Sequence, residues 1–324
     1  MCRLPLFQLS LSVLVLTALV LFASQDHSGD KQNPIIATHE LHQTVLLGKT
    51  SETKFELPQT MLVDLGGGMK MEFVLIPKGK VKMGSPPDEK DRNLFTEDFD
   101  AEKLHEVEIG KPFYLAKYPV TQEQYQAIIG KNPSWFCKDG DGAAKVKDLD
   151  TKQFPVEMVS WDDAQVFCKR LADNDKQKRK FRLPTEAEWE YACRAGTSTP
   201  FSFGSKLNGK EANCDGNYPY GTTDKGPYKE RTTKVGEYGE NKWGLCDMHG
   251  NVWQWCEDYY GPYDNDLKST DPLRSVKYSK NRRVSRGGSW ISHAKYCRAA
   301  DRRWDAPDRQ GSVLGFRVAF SLKE

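Results

Sequence analysis

The sequence predicts an α+β domain with several short helices, antiparallel strands and otherwise little regular secondary structure. Three observations lead to this class: β-rich runs separated by glycine turns, three helices with strong start signals, and the loss of helical periodicity after residue 197. The last part is rich in Gly, Asn, Asp, Tyr and Trp. Its irregular backbone must satisfy its polar groups through side chains, water or bound ions.

Two segments carry the strand predictions. The stretch MEFVLIPKGKVKMGS (71–85) has a strand-like run, a Pro-Lys-Gly turn and renewed alternation, which together predict a hairpin. The stretch KLHEVEIGKPFYLAKYPVT (103–121) contains two further β-rich runs around Gly110. The first half of the domain is therefore expected to supply most of the strands.

Three helices are predicted from their N-terminal residues. Thr121, Ser160 and Thr185 are each followed, three residues later, by a side chain that can complete a capping box. Gly130 is expected to stop the first helix, and Gly196 is expected to lie just past the end of the third. The helical segments are all short, in keeping with the fold class.

The N-terminus differs in composition from the rest of the chain. Residues 1–25 combine Arg3, an apolar run to Ala23 and a small, polar exit, which is the pattern of a secretory signal peptide. A retained membrane anchor is the alternative, because the run borders on spanning length. Residues 26–58 are polar and predict a linker, and 60–322 predict one domain. We expect an exported protein, located in the periplasm, outside the cell or at the cell envelope.

Charge and motif content exclude several function classes. The chain has 47 basic and 45 acidic side chains, a net charge of +2 that does not favour nucleic acid or an anionic membrane surface as partner. The zinc motif HExxH, the nucleophile motif GxSxG and the phosphate-binding GxxxxGK[ST] loop are absent from the sequence. Zinc hydrolysis, this type of serine hydrolysis and P-loop nucleotide hydrolysis are therefore not expected.

The cysteines leave one question open. Removal of the signal peptide leaves seven of the eight, an odd number, so at least one thiol is unpaired within the chain. Cys297 lies in GGSWISHAKYCRAADRRW (287–304), among polar, charged and aromatic residues. It can be a catalyst, half of a disulfide or a buried structural residue. Cys246 and Cys256 are candidate partners.

Several motifs together resemble one known family. They are MEFVLIPKGKVKMGS, PFYLAKYPVTQEQY, PVEMVSWDDAQVFCKRL, FRLPTEAEWEYACRAG, WGLCDMHGNVWQW, RVSRGGSW and LGFRVAF, in this order over roughly 60–322. The set resembles the formylglycine-generating enzyme (sulfatase-modifying factor) family. The resemblance implies that family's fold, a distant relative of the C-type lectin fold, with calcium ions inside.

The resemblance implies two calcium sites. The first would use the side chains of Asp247 and Gln254 and the carbonyls of Gly250 and Val252, since calcium prefers six to eight oxygen ligands. Gln254 stands where Glu is common in the family, so this site carries one negative charge less. The second would use the Asn213 side chain and the Cys214 carbonyl. The alternative is that these polar groups only hydrogen-bond irregular loops.

The resemblance also implies a copper(I) site, but this sequence changes it. In the family, two cysteines five residues apart bind the ion that activates oxygen. The matching positions here are Ser292 and Cys297, and a serine hydroxyl cannot replace a thiolate on copper(I). Ser289 and Trp290 match the oxygen-pocket side of the motif. The remaining matches are to the substrate groove: Arg302 and Trp304.

Two functions are therefore expected to compete. The first is an exported member of the family, diverged at the copper site, that acts as a binding or envelope-associated module for a peptide, a glycan or an envelope protein. The alternative is a copper-dependent oxidase that converts a sulfatase cysteine to formylglycine. Iron-dependent sulfur chemistry, found in fusions of this domain with a helical iron-binding one, needs a His-rich triad and is not expected, because this chain has only six histidines and shows no helical partner domain.

Overall fold

Within the part of the chain that the structure describes, eleven strands and three α-helices form the domain. The structure, a computed structural model, describes residues 57–92, 99–263, 268–278 and 280–321. The strands in these residues are β1 Thr60–Gly66, β2 Met69–Ile76, β3 Gly79–Met83, β4 His105–Ile109, β5 Phe113–Ala116, β6 Phe181–Arg182, β7 Trp253–Tyr259, β8 Arg283–Arg286, β9 Arg302–Asp305, β10 Leu314–Phe316 and β11 Ala319–Ser321. The helices are α1 Gln122–Ile129, α2 Trp161–Asn174 and α3 Glu186–Arg194. The predicted α+β class is confirmed.

The largest sheet has five strands in the order β1-β2-β5-β11-β6, all antiparallel to their neighbours. Alternate residues point to opposite faces. Phe73 and Tyr114 face a cluster that includes α1 and α2, whereas Val74 and Leu115 face a cluster that includes α3. Burial of both faces explains why these strands are largely apolar.

A second sheet has the order β10-β7-β8-β9, and β3 pairs only with β4 among the described residues. The predicted hairpin over 71–85 is therefore wrong. Its two strands form as β2 and β3, but β2 pairs with β1 and β5 while β3 pairs with β4. A strand's partner depends on which edge is free in the folded domain, and the local alternation pattern does not carry that information.

The helix starts were predicted correctly. Thr121, Ser160 and Thr185 are the N-caps of α1, α2 and α3, and each helix has a complete capping box. Gly130 ends α1 in the left-handed conformation, and α3 ends at Arg194 with Ala195 as its C-cap, so Gly196 lies just past the end of α3, as expected. No helix in the described residues is long and apolar enough to cross a membrane.

The domain organisation remains partly an expectation. The described residues all fall in one compact unit, Phe55–Glu324. The predicted signal peptide, residues 1–25, and nearly all of the predicted linker, residues 26–58, lie outside the described residues.

Candidate functional site

The segment 287–297 follows β8 and contains all four predicted catalytic residues, Ser289, Trp290, Ser292 and Cys297. Gly288 has a φ of 77°, and a Cβ at this position would lie 2.4 Å from the Cys297 Sγ. Only glycine therefore allows the chain to turn directly over the thiol. The two glycines of the RGGSW motif shape this loop, and the 3₁₀ helix Ala294–Cys297 closes it.

The Ser292 hydroxyl is engaged by Ser289. The Ser289 N–H donates to Ser292 Oγ at 3.0 Å, and the two hydroxyl oxygens are also 3.0 Å apart. Both side chains are buried. The structure thus brings two of the predicted catalytic residues together, in a closed hydrogen-bonded turn.

Trp290 lies on the other side of this turn. Its indole Nε1 donates to the Ser312 carbonyl at 2.9 Å, and its ring packs edge-on against Phe136, with the ring centroids 5.2 Å apart. Tyr228 lies roughly parallel to the same ring at 6.4 Å. Trp290 is half-buried and therefore contributes mainly to a small aromatic cluster.

Cys297 is completely buried and contacts another cysteine. It belongs to an apolar cluster with Cys214, both are free thiols in this structure, and the Cys297 Sγ lies 4.0 Å from the His293 carbonyl. The neighbouring Cys214 thiol, together with burial, raises the pKa of the Cys297 thiol well above its ordinary value. The cysteine that faces Cys297 is therefore Cys214 and not Cys246 or Cys256, the partners considered from the sequence.

The two predicted groove residues lie away from this turn. Arg302 is buried on β9, and its Nε and Nη2 atoms donate to the two carboxylate oxygens of Glu186 at 2.6 and 2.7 Å. Trp304 is covered by the Arg282 guanidinium, 3.3 Å from the ring centroid. Arg302 and Trp304 thus belong to the second sheet, whereas Trp290 packs with Phe136 and Tyr228.

Arg302 does line a cavity of about 300 Å³ together with Glu186, Asp258 and His105. Asp258 accepts the N–H of Glu186 at 2.7 Å and that of Arg274 at 2.8 Å. Burial and the neighbouring Glu186 raise the pKa of Asp258 to about 7. Both carboxylate oxygens of Glu186 accept hydrogen bonds from the Arg302 guanidinium. Arg302 is therefore one partner of a buried ion pair.

The first predicted calcium motif is organised around Arg317. The Gln254 Oε1 accepts from Trp189 Nε1 at 2.9 Å and from Arg317 Nε at 2.6 Å, while Gln254 Nε2 donates to the Asp247 carbonyl at 2.7 Å. The carboxylate of Asp247 accepts the N–H of Gly236 at 2.6 Å. Burial raises the pKa of Asp247 to about 6.

Arg317 supplies the positive charge in this region. Its guanidinium donates to the carbonyls of Ala116, Lys117, Cys246 and Asp247, at distances of 2.7–3.2 Å. Burial lowers the pKa of Arg317 to about 10, so the side chain remains charged at neutral pH. It therefore joins the end of β5 to the start of the MHGNVWQW motif.

The second predicted calcium motif touches the first through the backbone. Gly250 has a φ of 74°, and a Cβ there would lie 2.3 Å from the Asn213 carbonyl oxygen. That carbonyl accepts the Asn251 N–H at 2.8 Å, and Asn213 Nδ2 donates to Asn251 Oδ1 at 3.2 Å. Asn213 Oδ1 is buried and has no hydrogen-bond partner among the described residues. Val252, the fourth member of the first motif, is buried next to Asn251.

Comparison with known proteins supplies the family. The model of the sulfatase-modifying factor enzyme 1-like domain matches residues 65–322. The chain belongs to the sulfatase-modifying factor family.

The relatives of this sulfatase-modifying factor protein include enzymes and a protein named inactive. The formylglycine-generating enzyme of Mus musculus is 36% identical over 197 residues, a match that covers 58% of this chain and 49% of the mouse protein. The chain thus spans about half the length of that relative. The inactive Cα-formylglycine-generating enzyme 2 of Bos taurus is 26% identical over 79% of this chain and 90% of its own. The structure of PvdO from Pseudomonas aeruginosa is similar with a TM-score of 0.66 and 27% identity, over 82% of this chain and 100% of PvdO.

The family's copper site does not fit the residues present. Copper(I) requires soft thiolate ligands, and Ser292 offers a hydroxyl that already takes part in the Ser289 turn. The family's pair of positions therefore provides a single thiol, that of the buried Cys297. Within the described part of the chain, no three His, Cys, Asp or Glu side chains are grouped so that they could hold a metal ion.

The two predicted calcium sites differ in how well their side chains suit the ion. Gln254 does not suit calcium because both lone-pair directions of its amide oxygen are taken by donors, one of which is the cationic Arg317. Asn213 does suit it, because Oδ1 is a buried oxygen without a partner in the described residues. A calcium ion held by Asn213 and the Cys214 carbonyl would supply only structural stabilisation of the loops.

Three residues organise the site without a role predicted from the sequence. In the sequence, Arg317 stands out only as part of the LGFRVAF motif, and Asn251 only as part of MHGNVWQW. His249, also in that motif, donates from Nδ1 to the Cys297 carbonyl at 2.7 Å and accepts the Ser202 N–H at Nε2 at 3.0 Å. The signal that pointed to them was the irregular backbone, which requires buried side-chain donors and acceptors.

Proposed function

We propose that this protein is an exported, non-oxidising member of the sulfatase-modifying factor family that binds a peptide segment of an envelope or secreted protein. The observation that carries the proposal is the hydroxyl at Ser292, where the family's second thiolate would stand. The Ser292 hydroxyl is bound within the Ser289 turn, so it offers Cys297 no second thiolate ligand for copper(I).

An exposed aromatic surface beside this turn supports a binding role. We define the aromatic surface as Tyr218, Ile291, His293 and Tyr296. Tyr218 is 54% exposed and stacks on His293, with the ring centroids 3.8 Å apart, and Ile291 is 48% exposed. Tyrosine is enriched among the few residues that dominate binding energy at protein interfaces.

A peptide is the ligand class that the family background favours. Members of this family act on peptide segments of sulfatases. The aromatic surface combines apolar rings with the cationic side chain of Lys295, which lies 5.0 Å from the centre of the Tyr296 ring. We therefore expect recognition of an extended segment with apolar and acidic residues.

The binding test uses the full chain, exported through its own N-terminus, against a peptide array and a glycan array. Tyr218→Ala and Ile291→Ser should each weaken peptide binding about tenfold. Val276→Ser, at another highly exposed apolar position, is the matched control and should bind as the unchanged protein does. Binding to glycans with no peptide retained would contradict the peptide assignment.

The alternative is the copper-dependent oxidase, which is supported by the 36% identity to a formylglycine-generating enzyme. The protein is mixed with copper(I), oxygen and a peptide bearing the sulfatase motif CxPxR, and the product mass is measured. We expect no aldehyde. Aldehyde that persists in Ser292→Ala but is lost in Cys297→Ala would overturn the proposal of a non-oxidising protein.

A further inference from the structure

The contact between Cys214 and Cys297 has no role in the chemistry described above. Both residues are buried and lie in one apolar cluster with Phe201, Leu207, Ala212, Tyr220 and Ala294. Cys214 belongs to the loop-rich segment, whereas Cys297 ends the short helix that follows Ser292. The fold thus brings together two thiols that are far apart in the sequence.

The other described cysteines contact different groups. Cys137 Sγ lies 3.0 Å from the Ser134 carbonyl, Cys193 Sγ lies 3.5 Å from His249 Nε2, and Cys256 Sγ lies 3.9 Å from the Gln254 carbonyl. Cys168 packs on the apolar face of α2, and the Cys246 thiol has Asp247, Arg317 and Lys117 as charged neighbours. Among the described cysteines, Cys214 and Cys297 are the pair whose thiols neighbour each other.

We propose that Cys214 and Cys297 form a structural disulfide in the exported protein. The inference rests on the export part of the proposed function, because structural disulfides persist in oxidising compartments. It does not depend on the peptide ligand.

The bond forms by exchange with a disulfide donor, either a protein disulfide or a small-molecule disulfide, before the two cysteines are enclosed. The thiolate of one cysteine attacks the donor disulfide and releases one donor thiol. The thiolate of the second cysteine then attacks the mixed disulfide and releases the other donor thiol. The two cysteines lose two protons and two electrons, and the donor gains them.

This bond would hold the aromatic surface in place. The segments it joins are already paired: the Asp215 N–H donates to the Ser292 carbonyl at 2.9 Å, and the Ala294 N–H donates to the Tyr218 carbonyl at 3.1 Å. Tyr218 and His293, which stack on each other, lie on these two segments. A covalent link between residues 214 and 297 fixes both rings relative to each other.

The direct test is a peptide map of the exported full chain, alkylated while denatured and digested with trypsin. The peptides EANCDGNYPYGTTDK (211–225) and YCR (296–298) should appear as one linked species that separates on reduction. Recovery of both peptides in alkylated form would contradict a disulfide in the exported protein. One copper ion per chain bound through both sulfurs would also contradict it.

Refolding in a mixture of oxidised and reduced glutathione tests whether Cys214 and Cys297 can pair, independently of whether the protein is exported. If the link forms during refolding but is missing from the exported protein, export to an oxidising compartment is contradicted. If it does not form even during refolding, the pairing itself is wrong. Neither result bears on the peptide ligand.

Thermal unfolding gives a second readout. Cys214→Ser and Cys297→Ser should each lower Tm by on the order of 10 °C without reductant, and the Tm of each variant should not change when reductant is added. Cys256→Ser, at an equally buried cysteine, is the control, and its change in Tm should be the same with and without reductant. If a single variant does not fold, the Tm of the unchanged protein with and without reductant still tests the bond: no difference would overturn it.

Discussion

The five-stranded sheet and the loop-rich segment 197–252 both contain buried residues, but different interactions stabilise the two regions. In the sheet, strand ladders satisfy the backbone, and the inward side chains are apolar, such as Phe73 and Tyr114. In the loop-rich segment, backbone groups instead form hydrogen bonds with buried side chains, such as Asn251 within the segment and Arg317 outside it. The comparison shows that irregular backbone can be buried when polar side chains replace the missing ladder.

The strongest test of this contrast removes the guanidinium that bonds four carbonyls. Arg317→Met should lower the free energy of unfolding by about 5 kcal/mol, because these buried acceptors lose their donor and Asp247 loses a nearby positive charge. Urea denaturation measures the change. Arg309→Met, at an exposed position, should stay within about 0.5 kcal/mol of the unchanged protein. Equal stability of the two variants would remove the proposed role of Arg317.

The next largest effect should come from the apolar half. Phe167→Ala should cost about 4 kcal/mol, because the Phe167 ring is fully buried against Tyr125 and Phe316 and leaves a cavity. Val166→Ala, next in sequence but 47% exposed, is the control and should change stability by less than about 0.5 kcal/mol. If both substitutions lowered the free energy of unfolding by a similar amount, burial of the Phe167 ring on α2 would not explain the stability of the apolar core.

A smaller effect is expected from one amide in the loop-rich segment. Asn251→Ala should cost about 3 kcal/mol, since Asn251 bonds Asn213 and Thr233 and has a φ of 66°, which favours asparagine over alanine. Asn281→Ala, at an exposed position, should be nearly neutral. Chemical denaturation of the two variants compares them. A neutral Asn251→Ala would show that water can replace this side chain.

The smallest effect concerns pH. The pKa of Asp258 is raised from 3.8 to about 7, so the folded state binds more protons than the unfolded state between these values. Stability from this group is therefore complete at low pH and is lost as pH rises through about 7, a fall of about 2 kcal/mol between pH 5 and pH 8. Denaturation at both pH values, in the unchanged protein and in Asp258→Asn, measures it. The variant should have the flatter pH dependence, and equal slopes would contradict the shift.

The sequence predicted local features of the fold well and their pairing poorly. The three capping boxes were correct because each depends on residues only three positions apart. The hairpin over 71–85 was wrong because β3 found its partner in β4 rather than in β2. The family was also predictable, since its motifs occur in a fixed order along the chain.

For the candidate site, the sequence alone determined that a hydroxyl stands at residue 292 where the family uses a thiol, which follows from residue type. Only the tertiary structure decided which groups each side chain meets: Cys297 faces Cys214, Arg302 pairs with Glu186, and Arg317 bonds Gln254. These partners are distant in sequence and carry no local spacing signal. They are selected by the burial of irregular loops, where each polar group must find a partner within the fold.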